Sequence, residues 1–389
     1  MEKNTMLKSF QFNSSGRLSF QAGGIQTLGN ELKTLGGTKA LIVTDQGIKM
    51  SGILEKAKKS LLDEKMPFVV FDEVEPNPST AVVEKGYEVL KKEGCDCLVG
   101  LGGGSPIDAA KAIGVQGTNP PPLLQYEGPN KVKNPIYPLV AVPTTAGTGS
   151  EVTGASVITD KARKYKCSIR SPYLIPKLAI LDPELLTTLP PGVLSTTGMD
   201  ALTHAYEAFI SPVTNPVSQA LAYDAMRLIG QNLRRFCANP ENIEAAGFML
   251  LASTMAGIAF FNGRVGVVHA MAHPLGGVFN TPHGLANAIL LPHCMDFTRL
   301  AVPELFGRIA EALGRDVTGL TVNEASKKPA EAVRELMEDL QIPKGLKDVG
   351  VKRESFEIMA KDAVNSGIHL TTPRKVTEKD MIELYEKAF

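Results

Sequence analysis

Four of the six histidines in this chain fall between His269 and His293, a clustering that points to one site. Gly198-Met-Asp200-Ala-Leu-Thr-His204 places a carboxylate and an imidazole four residues apart, on one face of a helix. His269-Ala-Met-Ala-His273 repeats that spacing, and His283 follows in Thr281-Pro-His-Gly284, where a helix is expected to start. Ala201, Leu202, Ala205 and Tyr206 make the helix of Asp200 apolar nearly all round, and a carboxylate buried there needs a partner. Three imidazoles and one carboxylate form a nitrogen–oxygen set suited to Fe(II) or Zn(II), without choosing between them. The His-x-x-x-His pair lacks the glutamate of a metalloprotease helix, which excludes that class. His293 and His369 fit no such pattern and are left outside the metal set.

A second group of residues has the chemistry of nucleotide binding. Gly102-Gly103-Gly104-Ser105-Pro106 lies between an apolar strand and a helix, with Ser105 expected at the N-cap and Pro106 at the first helical position. Glycines let backbone N–H groups approach a diphosphate, and the helix N-terminus adds a favourable dipole. Thr144-Thr-Ala-Gly-Thr-Gly-Ser150, after the next strand, is a second turn rich in glycine and hydroxyls. Asp45 closes an earlier strand, where a carboxylate can hold ribose hydroxyls and repel a 2′-phosphate. In the Rossmann fingerprint the acid follows the glycines. Here it precedes them, so a dinucleotide site of a different build is expected.

These residues need elements to carry them. Lys39–Asp45, Pro67–Phe71, Cys95–Leu101 and Leu139–Val142 read as buried strands, and Ile48–Lys65, Thr80–Glu93 and Pro106–Ile113 as helices between them. That alternation implies a parallel sheet covered by helices. Ala155–Asp160 and Lys164–Ile169 read as a small antiparallel addition, and Thr118–Asn134 as an irregular loop. Beyond Leu189-Pro-Pro-Gly192 helical patterns dominate, as in Gly198–Phe209, Pro216–Asn232, Glu241–Phe261, Val265–Gly276 and Val322–Leu340. The expected organisation is a Rossmann-like α/β nucleotide-binding domain over residues 1–188 and an all-α domain over 189–389.

Composition narrows the class. The chain has 389 residues, with 41 Lys+Arg balanced by 41 Asp+Glu, which argues against a protein built to hold nucleic acid or an anionic membrane. No apolar run long enough to span a bilayer is expected. Five scattered cysteines without a Cys-x-x-Cys motif read as free thiols in a reducing cytoplasm.

Taken together, the motifs resemble the iron-containing (group III) alcohol dehydrogenases along nearly the whole chain. The resemblance rests on Gly102–Lys111, Pro143–Glu151, Gly198–Glu207, His269–Gly276 and Pro282-His-Gly284. It implies a metal, Fe(II) with Zn(II) as the alternative, held by Asp200, His204, His269 and His283 in a cleft between the domains. It implies that His273 is no ligand but lies near the substrate and relays a proton. NAD is implied on Gly102, Gly103, Gly104, Ser105, Thr144 and Thr145, with Asp45 on the adenosine ribose and Asn77, Thr153 and Lys164 as further contacts. Asp108 and Lys111 are expected to support the phosphate loop. Phe260, Val265 and Ile368 match pocket-lining positions, an apolar wall suited to small unbranched alcohols or diols.

Two segments depart from the family pattern: Phe261-Asn-Gly-Arg-Val-Gly266 and Gly367-Ile-His-Leu-Thr-Thr-Pro373. Arg264 keeps an acid-bearing substrate open. The implied activity is reversible hydride transfer between NAD(H) and a small alcohol or aldehyde, in a protein that forms a homo-oligomer. A cyclase resembling dehydroquinate synthase and a non-catalytic nucleotide- and metal-binding or filament-forming protein are the competing readings. The apolar pocket wall disfavours the first, and the intact ligand set the second.

Overall fold

The computed structural model describes residues 9–163 and 165–389. In chain order the strands are β1 (Arg17–Phe20), β2 (Ala40–Val43), β3 (Phe68–Phe71), β4 (Cys97–Gly102), β5 (Gly128–Pro129), β6 (Leu139–Pro143), β7 (Ala155–Asp160), β8 (Tyr165–Arg170) and β9 (Leu178–Leu181). Helices α1 (Leu28–Thr34), α2 (Gln46–Met50), α3 (Ile53–Asp63), α4 (Thr80–Glu93) and α5 (Gly104–Thr118) alternate with them. Six strands form one parallel sheet in the order β1-β9-β6-β4-β2-β3, and β5, β8 and β7 form a small second sheet with β7 and β8 antiparallel. The continuous apolar runs follow from this arrangement, because a parallel sheet is covered on both faces and every residue of β2, β4, β6 and β9 is buried.

The sheet order explains why the acid precedes the glycines. β4 lies between β2 and β6, so the chain after Val43, Gly102 and Pro143 emerges at three neighbouring carboxyl ends. From β2 the chain runs outward to the edge at β3, then returns to β4 on the other side. That reversal of strand order is where ligands bind in open α/β sheets. Thr44 donates to the Leu101 carbonyl at 2.8 Å, and the Thr144 N–H to the Gly102 carbonyl at 3.0 Å, drawing the three ends together.

After β9 come α6 (Pro191–Ile210), α7 (Pro216–Ala238), α8 (Ile243–Gly263), α9 (Val267–Phe279), α10 (His283–Thr298), α11 (Pro303–Ala312), α12 (Val322–Ala325), α13 (Lys328–Asp339), α14 (Phe356–Asn365) and α15 (Glu378–Lys387). One core runs from the sheet face of Ile42, Val99 and Ile180 into α6, α8, α9 and α10; a second fills the opposite face beneath α4 and α5.

Several expectations are corrected. Ile48–Lys65 is two helices, broken at Gly52, whose φ of 80° is left-handed. Val322–Leu340 is also two, because Pro329 must sit in a first turn. Helix α5 starts at Gly104 with Gly103 as its N-cap, so Ser105 is a first-turn residue and no cap. Strands β1 and β9 escaped the sequence reading. Helix α8 has the length and apolar character of a membrane span, but 61% of its apolar window is buried inside the protein, as in a core helix.

Candidate active site

Helix α6 presents Asp200, His204 and Glu207 along one buried face. His269 and His273 lie on α9, and His283 is the first residue of α10. Asp200 Oδ1 lies 3.8 Å from His269 Nε2 and 3.6 Å from His283 Nε2. The ligand atoms of these three residues all fall within 4.8 Å of one another. His204 adjoins them without entering that group. Its ring stacks between Phe260 at 4.3 Å and His269 at 4.5 Å, and its Nδ1 lies 3.9 Å from Asp200 Oδ2. The His273 ring meets His269 edge-on at 6.5 Å and His283 at 5.5 Å. Burial pushes His204 down to about 4 and His273 down to about 3, and holds His283 well below the usual range. Neutral imidazoles are the form that donates a lone pair to a metal.

The second glycine-rich turn reaches His204, at the side of this cluster. The Gly147 carbonyl, in the turn after β6, lies 3.2 Å from His204 Nδ1. Gly102 takes a φ of 143°, and a Cβ on Gly104 would lie 2.9 Å from Thr148 Cγ2, so this approach needs glycine. Thr144 is buried, its hydroxyl without a partner, while Thr145 is half-buried beside Gly103. A cradle of glycines, free first-turn N–H groups and an orphaned hydroxyl fits a dinucleotide diphosphate. Asp45 is half-buried at the end of β2 and caps α2 by accepting from the Ile48 N–H at 2.9 Å. Asn77 is exposed with a φ of 55°. The Thr153 hydroxyl faces the Lys111 ammonium at 3.4 Å, and Lys164 lies outside the described residues. Lys111 is fully buried and donates to the Ser150 and Ala155 carbonyls at 2.7 Å, while Asp108 accepts from the Ser150 hydroxyl and the Val157 N–H. Together they tie α5 to the second turn.

Models of the iron-containing alcohol dehydrogenases match residues 15–183, and of the C-terminal part of the Fe-containing alcohol dehydrogenase family residues 194–389. This chain belongs to the iron-containing alcohol dehydrogenases. It is 44% identical over 372 residues to 1,3-propanediol dehydrogenase of Citrobacter freundii, covering 95% of this chain and 96% of that one. Identity to lactaldehyde reductase of Escherichia coli is 38%, over 95% of this chain and 97% of the relative. A crystal structure of a 1,3-propanediol oxidoreductase superposes with a TM-score of 0.97 at 42% identity, covering 98% of this chain and all of that one. The dehydrogenase is accordingly an NAD-dependent, metal-dependent oxidoreductase.

Three residues of the dehydrogenase's site had no assigned role in the sequence. Glu207 is buried and accepts from the Gly266 N–H, the Val268 N–H and His269 Nδ1, each at 2.7 Å. That fixes the His269 proton on Nδ1 and turns Nε2 toward Asp200. Its signal was an acid three residues after His204 in an otherwise apolar helix. Asn287, four residues after His283, donates to Asp200 Oδ1 at 2.7 Å. Lys166 on β8 is depressed by burial, against the opposing charge of Asp200. Nothing in its strand pattern distinguishes it from a surface lysine.

Proposed function

We propose that this dehydrogenase interconverts a small primary alcohol or diol with its aldehyde, using NAD(H), in a cleft between an α/β domain (1–188) and a helical domain (189–389). The observation that carries this reading is the Gly147–His204 contact, which brings the nucleotide turn onto the helix of the buried Asp200–His269–His283 cluster. A buried imidazole, a half-buried one and a buried carboxylate, with His204 stacked alongside, have the donor chemistry for Fe(II) or Zn(II). When bound, such an ion polarises the substrate oxygen and lowers the alcohol's pKa. NAD(H) supplies the hydride chemistry.

The chain's own residues do the rest. Gly102–Ser105, Thr144 and Thr145 hold the diphosphate, and Asp45 the adenosine ribose, with Asn77 and Thr153 as further contacts. Phe260, Val265 and Ile368 exclude water from the reacting carbon. His273, close to the cluster but outside its ligand atoms, moves the proton to and from the substrate oxygen. Glu207 keeps His269 oriented.

The test is NADH oxidation against a panel of aldehydes, with stripped protein reloaded anaerobically with Fe(II) or Zn(II). Turnover restored by one ion supports the reading; none with either ion, despite NADH binding, sinks it. H273A should lower kcat by about 100-fold or more while leaving metal content intact. Loss of the ion in that variant would make His273 a ligand instead. D45G should relax the preference for NAD over NADP, and an unchanged ratio would remove Asp45 from the ribose.

The cysteines are free, in keeping with a reducing, cytoplasmic setting. Among the described residues, strand β1 is an open edge of the sheet with Leu18 and Phe20 exposed, which supports a homo-oligomer built there.

A further inference from the structure

The chain has thirteen arginines. Among the described residues, eleven have a carboxylate, an oxygen or an aromatic face as partner, and two, Arg170 and Arg264, have none. Nε of Arg170 is buried without a hydrogen-bond partner. Arg264 follows α8 with φ 70° and ψ 163°, a conformation that is essentially glycine's. A strained backbone of this kind persists only where the surroundings enforce it, and such positions gather at ligand sites.

The two arginines lie at one place. Ser171, next to Arg170, donates its N–H to the Gly154 carbonyl at 2.8 Å. A Cβ on Gly154 would lie 2.9 Å from Cζ of Phe261, in the last turn before Arg264. Arg264 is exposed and Arg170 half-buried; the protein crowding around Arg264, with the charge of Arg170 adding to it, lowers its proton affinity.

That place is connected to the reacting centre from two sides. The Arg264 N–H donates to the Phe260 carbonyl at 2.7 Å, and the Phe260 ring stacks on His204. On β8, Lys166, Ser168 and Arg170 share the half-buried face, while Cys167 and Ile169 point the other way. Lys166 Nζ lies 3.7 Å from where a Cβ of Gly276 would be, on α9 just beyond His273. Arg170 is four residues along the strand, about 13 Å away. The face therefore runs from the histidine cluster toward Arg170, with Arg264 entering the same neighbourhood from the end of α8.

We propose that Arg170 and Arg264 bind a terminal oxyanion of the substrate, so that this enzyme reduces short aldehydes bearing a carboxylate or sulfonate at the far end. The proposal rests on the dehydrogenase reading and narrows its substrate class. Paired guanidinium groups match the planar, multi-oxygen anion geometrically as well as in charge. In the reaction the aldehyde carbon gains a hydrogen and two electrons from NADH. The carbonyl π bond becomes an oxygen lone pair that takes up one proton, leaving the hydroxy acid and NAD⁺.

The test compares kcat/KM of the metal-loaded enzyme for 4-oxobutanoate and 3-oxopropane-1-sulfonate with that for butanal. At least a ten-fold preference for one or both acids is expected, and the favoured acid tells carboxylate from sulfonate. R264G should cut the acid-to-butanal ratio ten-fold or more, with an equal or higher Tm because glycine suits that backbone. R170A should cut the ratio in the same direction. Reduction of butanal without a preference for either acid, or a ratio that neither variant moves, overturns the oxyanion site and leaves the dehydrogenase standing. A rise in KM for NADH with an unchanged ratio also overturns it, by assigning the pair to the cofactor. If no aldehyde is reduced, the dehydrogenase reading falls, and this proposal with it.

Discussion

Glu207 sets the direction of the His269 nitrogen that faces Asp200. Its two oxygens accept from three N–H donors, a pattern only a carboxylate can satisfy fully. E207Q replaces one acceptor by a donor amid those N–H groups, so the affinity for Zn(II) or Co(II) should fall about 10- to 100-fold. Equilibrium dialysis reads this directly, and unchanged affinity would mean that α9 alone aims His269. Lys111 is a second such case. K111M should cost about 3–5 kcal/mol in denaturant titrations, because Asp108 and Glu151 keep their burial and lose their cation. At this scale the sequence was most legible where residue type is rare: a histidine or an acid in an apolar helix stands out. Asn287 and Lys166 did not, because their roles come from elements distant in the chain.

The clearest result among the elements is how closely α8 approaches the turn after β6. A Cβ on Gly257 would lie 2.8 Å from both Gly149 Cα and Val152 Cγ2. G257A should therefore destabilise the protein by about 1–3 kcal/mol through overpacking. It should also raise KM for NADH, because the displaced turn carries Thr144 and Thr145. A variant with normal cofactor KM would separate the two effects. Thr80–Glu93 and the β7–β8 pairing read correctly, since periodicity and a short connection suffice for each. β1 and β9 did not, for different reasons. Arg17-Leu-Ser-Phe20 alternates at an exposed edge and looks like loop, while Leu178-Ala-Ile-Leu181 is too short to tell from a helical fragment. The start of α5 was misplaced because Ser-Pro is a strong capping signal. Here Gly102, at φ 143°, turns the chain early enough for the helix to begin ahead of it.

For the molecule as a whole, acid sensitivity has a traceable source. Burial, with Arg334 adding to it and Asp296 opposing, pushes His293 down from 6.5 to about 4. The unfolded chain then binds the proton that the folded one refuses, so this contribution is complete above pH 6.5 and is lost as pH falls toward 4. H293Q should flatten the decline of Tm over that window, and a parallel decline would shift the cause to other groups. At the open sheet edge, L18K combined with F20K should lower the mass seen by light scattering if copies pair there. Helix α8 has a consequence for how the protein is made. Its apolar surface packs chiefly on α6 and α7, both made before it, so the partners that hide it are already present when it emerges. A nascent chain that has released Gly263 from the ribosome can therefore bury this segment at once, before the insertion machinery reads it as a membrane anchor. A nascent chain carried well past α8 should therefore stay in the soluble fraction, and its recovery with membranes would show that insertion outpaces this packing.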